Sequence, residues 1–192
     1  RQDRISIPIS TQTMTWNEFS AAALKMVRTQ NGWARVDNVS AVGTLPPGQV
    51  IHYGAAIGNA VNVQHWNDIL TTLIMQHDVP LIAEDRLSVN FIKNQYSAST
   101  VAGFEEYTNL YSSWDKSWPS SVEAFAQGKV SMSFGRSFQL AGLDKVSTLD
   151  YDVVPFPQRS SDPRYWVTPT YYWARVVNKD ASSIELAWDY IK

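Results

Sequence analysis

The sequence contains no cysteine, which excludes disulfide scaffolds, thiol nucleophiles and cysteine-ligated metal sites. Long apolar runs are also absent. Stretches such as DILTTLIM are far shorter than the roughly 20 residues of a membrane span, and no basic-then-apolar leader opens the chain. The net charge is only −2, with scattered Lys and Arg, which argues against a surface that follows nucleic-acid phosphates. We therefore expect a folded protein that neither crosses a bilayer nor binds nucleic acid.

Aromatic residues are abundant, with 8 Trp, 9 Tyr and 7 Phe, and several stand beside turn residues rather than inside periodic runs. Some of these rings are expected to face a ligand or a partner. Across 192 residues, 44% are hydrophobic, which is enough for one fair-sized core in a mostly single domain.

Hydrophobic periodicity and capping signals predict alternating strands and helices. The segment TWNEFSAAALKMVRTQNG predicts a helix opened by a Thr15–Glu18 capping box and closed by Asn31 and Gly32. IHYGAAIG predicts a buried strand ending at Gly58, and NVQHWNDILTTLIMQH a helix. Residues 78–99 lack periodicity and are expected to form a long loop.

The second half repeats this alternation. We expect a helix from about Thr100 and another capped by Ser120, with Gly128 at its end. KVSMSF predicts a strand, a helix begins near Ser137, and YDVVPFP and YYWARVV predict two further strands. A last helix opens at Ser182. This order indicates an α/β fold with helices on the faces of the sheet.

Ser137 lies at a bend between a strand and a helix, the context of a nucleophile elbow in an α/β hydrolase. Gln139 replaces the glycine that such an elbow requires, and all three histidines precede the serine. The bend can instead bind a ligand oxygen through backbone N–H groups, with two parallel hydrogen bonds from Arg136. It can also be a plain helix cap with a solvated arginine.

Other candidates for chemistry are weaker. His52, His65 and His77 match no metal or catalytic motif and are interpreted as surface or loop residues. The adjacent acids in Glu84-Asp85 and Glu105-Glu106 point to different faces, so neither pair is a ready glycosidase acid and base. The aromatic stretch RYWVTPTYYWARVV can stack on sugar rings, or part of it can pack in the core.

Four stretches together resemble a known family. They are TMTWNEFSAAALKM, GAAIGNAVNVQHWNDILTTLIMQ, AFAQGKVSMSFGRSFQL, and YDVVPFP followed by YYWARVVNKDASSIELAWDYIK. Their order and spacing resemble the second lobe of an extracellular solute-binding protein of an ABC importer, in the broad sugar-binding family that includes maltose-binding protein.

The resemblance implies that residues 1–192 form a single α/β lobe of the type II periplasmic-binding-protein kind, a mixed sheet flanked by helices. It implies an excised C-terminal lobe whose first lobe, with its signal and lipid-anchoring cysteine, is absent. The two lobes would close on a sugar or oligosaccharide without catalysis, cofactor or metal. A monomeric, extracytoplasmic protein would then deliver the ligand to an ABC permease.

The resemblance also implies site residues. Gly135 and Ser137 match the family's Gly-Gly-Ser-Trp turn, whereas Arg136 replaces a glycine and Phe138 replaces the tryptophan. The expected cleft-lining set is completed by three aromatic residues: Tyr172, Trp173 and Trp66. Asp78 stands where the family often has glycine. A hydrolase-like or glycosidase enzyme and a ligand-free interaction domain remain the alternatives.

Overall fold

A computed structural model of the chain describes residues 13–33, 49–58, 60–110, 118–168, 170 and 175–191. The helices are α1 Trp16–Lys25, α2 Trp66–Gln76, α3 Ser97–Leu110, α4 Ser121–Ala126, α5 Leu140–Leu143 and α6 Ile184–Ile191. The strands are β1 Arg28–Thr29, β2 Gly32–Trp33, β3 Val50–Ala55 and β4 Val130–Met132. Short 3-10 turns span Asn94–Tyr96, Ser137–Gln139 and Pro163–Tyr165.

The strands of the described residues form one mixed sheet in the order β2-β1-β3-β4. β1 is antiparallel to both β2 and β3, whereas β3 and β4 are parallel, with Tyr53 opposite Val130 and Ala55 opposite Met132. The chain passes through α2, α3 and α4 between β3 and β4, as a parallel pair requires. The fold is therefore of the mixed α/β class that the sequence predicts.

The first helix begins as predicted but ends early. The Thr15 side chain accepts a hydrogen bond from the Glu18 N–H, and the Glu18 carboxylate accepts one from the Thr15 N–H at 2.7 Å. The predicted end at Asn31 and Gly32 is wrong, because β1 and β2 form a hairpin there in which Thr29 pairs with Gly32. Gly32 has a φ of +123°, a conformation that glycine adopts readily.

The last three residues of strand β3 are buried, and the strand contributes to two apolar clusters. The first cluster comprises Trp16, Phe19, Ala55, Ile57, Ile69, Leu73 and Tyr107. The second comprises Tyr53, Ala56, Val63, Ala124 and Val130. Helix α1 crosses β3 so closely that a Cβ on Gly54 would lie 1.8 Å from the Ala23 carbonyl oxygen. Glycine is therefore required at this crossing.

The strand predicted in YDVVPFP is not formed. Residues 151–157 belong to no strand, and their two prolines lack the N–H groups that a sheet interior needs. The segment is held by side chains: Phe156 packs edge-on against Trp16 at 5.6 Å, and the Gln76 amide donates to the carbonyl of Pro157 at 3.0 Å. Of YYWARVV, residues 171–174 lie outside the described part, and 175–177 form no strand.

The remaining helices follow the predictions with small shifts. Ser120 caps α4 by accepting from the Glu123 N–H, and Gly128 after it has a φ of +66°. Helix α3 begins at Ser97, three residues earlier than predicted. Helix α6 forms with Ser183, not Ser182, accepting from the Leu186 N–H at 3.4 Å. No helix of the described residues is long and apolar enough to span a membrane.

Candidate functional site

The candidate site is the bend that follows β4, residues 133–139. Because β3 and β4 are parallel, their carboxyl ends share one edge of the sheet, the edge at which open α/β sheets bind ligands. The bend leaves Phe138 70% exposed and keeps Gly135 and Ser137 at the surface. A Cβ on Gly135 would lie 3.1 Å from Gln139 Oε1, so glycine makes room for that amide. Four of the sequence-predicted site residues, Gly135, Arg136, Ser137 and Phe138, therefore lie together at this edge.

Arg136 connects the bend to helix α2 through Asp68. Its Nε donates to Asp68 Oδ2 at 3.1 Å, and its terminal Nη2 donates to Oδ1 and Oδ2 at 3.1 and 2.9 Å. Asp68 is 6% exposed, whereas the Arg136 side chain is 38% exposed. The sequence predicts a pair of parallel hydrogen bonds from Arg136 to a ligand. The structure places those bonds on a carboxylate of the chain itself.

His65 and Gln139 complete this connection. His65 Nδ1 lies 3.0 Å from Asp68 Oδ2, and its Nε2 lies 2.9 Å from Gln139 Oε1. The same Gln139 oxygen accepts the Arg136 backbone N–H at 2.7 Å, and the Gln139 amide donates to Gln64 Oε1 at 3.3 Å. We call the four residues His65, Asp68, Arg136 and Gln139 the bend clamp.

The bend clamp revises two interpretations drawn from the sequence. His65 lies in the turn before α2, as a loop residue would, but it is only 8% exposed, so the alternative that it is a surface residue is wrong. Its spacing of three residues from Asp68 on the first turn of α2 is the signal that could have indicated the pair. Gln139, which the sequence marks only as a departure from a nucleophile elbow, is the residue that links the bend to His65.

The other two histidines also connect elements. His52 on β3 lies 3.1 Å from the Gly128 carbonyl and 2.7 Å from Ser131 Oγ on β4. His77 Nε2 lies 2.8 Å from Glu106 Oε2 on α3, and Arg159 Nε lies 3.5 Å from the same oxygen. Both histidines are partly buried and tie segments together. Among the described residues, no group of three His, Asp or Glu side chains could hold a metal ion.

The arrangement around Ser137 does not form a nucleophile and base pair among the described residues. His65 reaches this bend, yet its two ring nitrogens contact Asp68 and Gln139 rather than the Ser137 hydroxyl. A serine nucleophile needs a base within hydrogen-bond reach. Ser137 is exposed, and the His65 ring nitrogens near it contact other groups.

Trp66, the first residue of α2, is half-buried and packs against both apolar clusters. It also lines an apolar cavity of about 340 Å³ between α2, α3 and residues 81–91. Its ring thus supports the helix that carries the bend clamp. The other two predicted aromatic residues, Tyr172 and Trp173, lie outside the described residues.

Comparison with protein-family models, curated protein sequences and solved structures finds no match to this chain.

Proposed function

We propose that this chain is a ligand-binding lobe of an extracytoplasmic solute-binding protein that delivers a carbohydrate to an ABC importer. The lobe has the type II periplasmic-binding-protein architecture in this proposal, and a second lobe closes over the ligand. The protein is anchored outside the membrane and acts as a monomer without catalysis. The ordered resemblance of the four sequence stretches supports this proposal, as does the mixed sheet with helices around it.

One observation carries the proposal: the bend after β4 presents an exposed aromatic ring, Phe138, from a backbone held on both sides. Arg136 and Gln139 connect the bend to α2, so the turn does not have to be ordered when a ligand arrives. Preorganised polar and aromatic groups at a strand-end edge suit a sugar, whose hydroxyls need donors and whose ring faces are apolar. In this arrangement Ser137 and the bend backbone contact ligand oxygens, and Arg136 shapes the bend.

A second observation supports the resemblance independently of the bend. Asp78 has a φ of +61°, in the left-handed region where few residues other than glycine, asparagine and aspartate are common. The resemblance described above sets Asp78 at a position where the family often has glycine. The backbone at Asp78 therefore adopts a left-handed conformation, which a glycine at this position of the family would adopt readily.

Isothermal titration against a panel of mono- and oligosaccharides tests the proposal with Phe138→Ala. We expect the variant to weaken binding of any sugar found by at least tenfold, about 1.4 kcal/mol, because the ring contact is lost. The matched control is Tyr165→Ala, since Tyr165 is also an exposed aromatic residue, at 63%, on a different turn. Absence of binding to every sugar, or equal affinity of both variants and the wild type, would contradict the proposed site.

The two-lobe part of the proposal has its own test. A protein carrying both lobes should bind the same sugar more tightly than residues 1–192 alone, because the isolated lobe supplies only part of the contacts. Equal affinity of the two proteins would refute the inter-lobe cleft while leaving sugar binding at the bend intact.

A further inference from the structure

Gln64 lies beside the bend, although no motif in the sequence marks it. It belongs to the loop that leaves the carboxyl end of β3 and enters α2, and it is exposed. Its backbone N–H donates to the hydroxyl of Ser121, a residue that is 1% exposed, at 3.2 Å. Its side-chain oxygen accepts from the Gln139 amide at 3.3 Å. A buried residue thus anchors the backbone of Gln64, while its side chain reaches the residue that follows Phe138.

A backbone N–H determines how the two glutamine amides are oriented. The Arg136 N–H can only donate, and it lies 2.7 Å from one end of the Gln139 amide. This end is therefore the oxygen, and the end that faces Gln64 is the NH₂ group. Two NH₂ groups cannot form a hydrogen bond with each other, so the end of Gln64 that faces Gln139 is its oxygen. The NH₂ group of Gln64 is thus turned away from Gln139.

This arrangement makes Gln64 a hydrogen-bond donor towards a ligand. Its side chain forms no other hydrogen bond with the described residues, so both N–H groups can donate to a ligand oxygen. An isolated glutamine can turn its amide over and offer either end. Here such a turn would lose the hydrogen bond to Gln139, and if Gln139 turned as well, the Arg136 N–H would lose its acceptor. Gln64 therefore presents donors rather than an acceptor.

We propose that Gln64 is a further ligand-binding residue, whose side-chain NH₂ group donates to a hydroxyl oxygen of the sugar that contacts Phe138. This inference rests on the proposed function. Gln64 and Ser137 then contact the ligand from two separate loops, one after each of the parallel strands β3 and β4. The sugar must carry a hydroxyl at the position that Gln64 reaches.

Side-chain NMR of the wild type tests the contact directly. The ¹H–¹⁵N signals of the Gln64 NH₂ group should shift when the protein is saturated with a sugar found by titration. Gln49 is the matched control, because it is also exposed and its oxygen also accepts from a glutamine amide, that of Gln30, at 3.0 Å. Gln49 precedes β3, at the other end of the strand, so its signals should stay in place. Gln64 signals that do not move when the sugar is bound would overturn the proposal.

A coupling experiment separates a ligand contact from a structural role of Gln64. Gln64→Met keeps the length of the side chain without its amide, and it should weaken sugar binding roughly fivefold, the size of one neutral hydrogen bond. A monodeoxy sugar that lacks the contacted hydroxyl should lose affinity for the wild type, but roughly fivefold less for Gln64→Met. A residue that only supported Gln139 would give the same deoxy penalty in both proteins.

The controls use the same substitution elsewhere. Gln49→Met should bind every sugar as the wild type does, and Gln64→Met should keep the wild-type urea midpoint because Gln64 is exposed. Equal penalties for every monodeoxy sugar in the wild type and Gln64→Met would refute the contact, even if Gln64→Met binds the parent sugar weakly. The wild-type NMR titration remains decisive if Gln64→Met does not fold.

Failure of this inference and failure of the proposed function give different results. If a sugar binds and Phe138→Ala weakens it, but the Gln64 signals do not move and the deoxy penalties are equal, the Gln64 contact fails and the proposed function stands. If no sugar binds, the proposed function fails, and the Gln64 contact fails with it.

Discussion

Asp68→Asn is the sharpest test of the bend clamp. The substitution keeps the shape of the side chain but replaces a carboxylate oxygen with an NH₂ group. Asp68 accepts three hydrogen bonds from Arg136 and contacts His65 Nδ1 at 3.0 Å, so the new NH₂ group would face donors. Its backbone carbonyl, which accepts from Thr72 Oγ1 at 2.6 Å, is unaffected. The change therefore removes the clamp charge without opening a cavity.

The size of the effect follows from the burial of the two partners. Removing one member of a fully buried ion pair costs about 3–5 kcal/mol, because the remaining charge is left without a partner. Asp68 is buried, but 38% of the Arg136 side chain is exposed and can be solvated by water once the carboxylate is gone. We therefore expect a loss of about 2 kcal/mol in the free energy of unfolding, roughly 4–8 °C in Tm.

Urea denaturation of the wild type and Asp68→Asn at neutral pH measures this loss. Asp180→Asn makes the same chemical change on a side chain that is 74% exposed, and it should leave the denaturation midpoint unchanged. A loss below about 0.5 kcal/mol for Asp68→Asn, the range of ordinary surface changes, would refute the idea that these bonds hold the bend.

Other substitutions test the fold. Gly54→Ala should lower the free energy of unfolding by about 3 kcal/mol or more, because its Cβ would overlap the Ala23 carbonyl. Gly142 has open space around it in α5, so Gly142→Ala should raise the free energy of unfolding by roughly 0.5–1 kcal/mol. Thermal unfolding of both variants and the wild type measures these changes. Hydrogen bonds from the Thr15 backbone and side chain lower the pKa of Glu18. A lowered pKa contributes stability above the unfolded-state value that is lost as pH falls through the folded-state value. The stability difference between wild type and Glu18→Gln should therefore shrink on acidification, and a difference that grows would contradict the capping box.

Local signals in the sequence located most helices, but the turn residues between them were ambiguous. The caps at Thr15 and Ser120 were predictable because each uses a partner three residues away. Asn31 and Gly32 suit either a helix end or a hairpin turn. The hairpin forms because β1 also pairs with β3, with Arg28 opposite His52, and this partner is distant in the sequence. Residues 151–157 show the opposite outcome. Their sequence pattern predicts a strand, but no strand of the described residues pairs with them.

The candidate site likewise combines features that could be predicted from the sequence with features that could not. The sequence alone placed a bend at residues 135–138 and indicated that its groups were unusual, because strand alternation, glycine and the following helix are local properties. It did not indicate that Arg136 binds Asp68, 68 positions earlier, or that Gln139 reaches His65.

The sequence by itself therefore determined the mixed α/β class, the helix caps at Thr15 and Ser120 and the position of the bend. Only the tertiary structure decided which carboxylate Arg136 pairs with and which histidine is buried. The physical reason is that a cap satisfies backbone groups within one turn, whereas a side-chain hydrogen bond goes to whichever partner the packing of distant elements brings within about 3 Å.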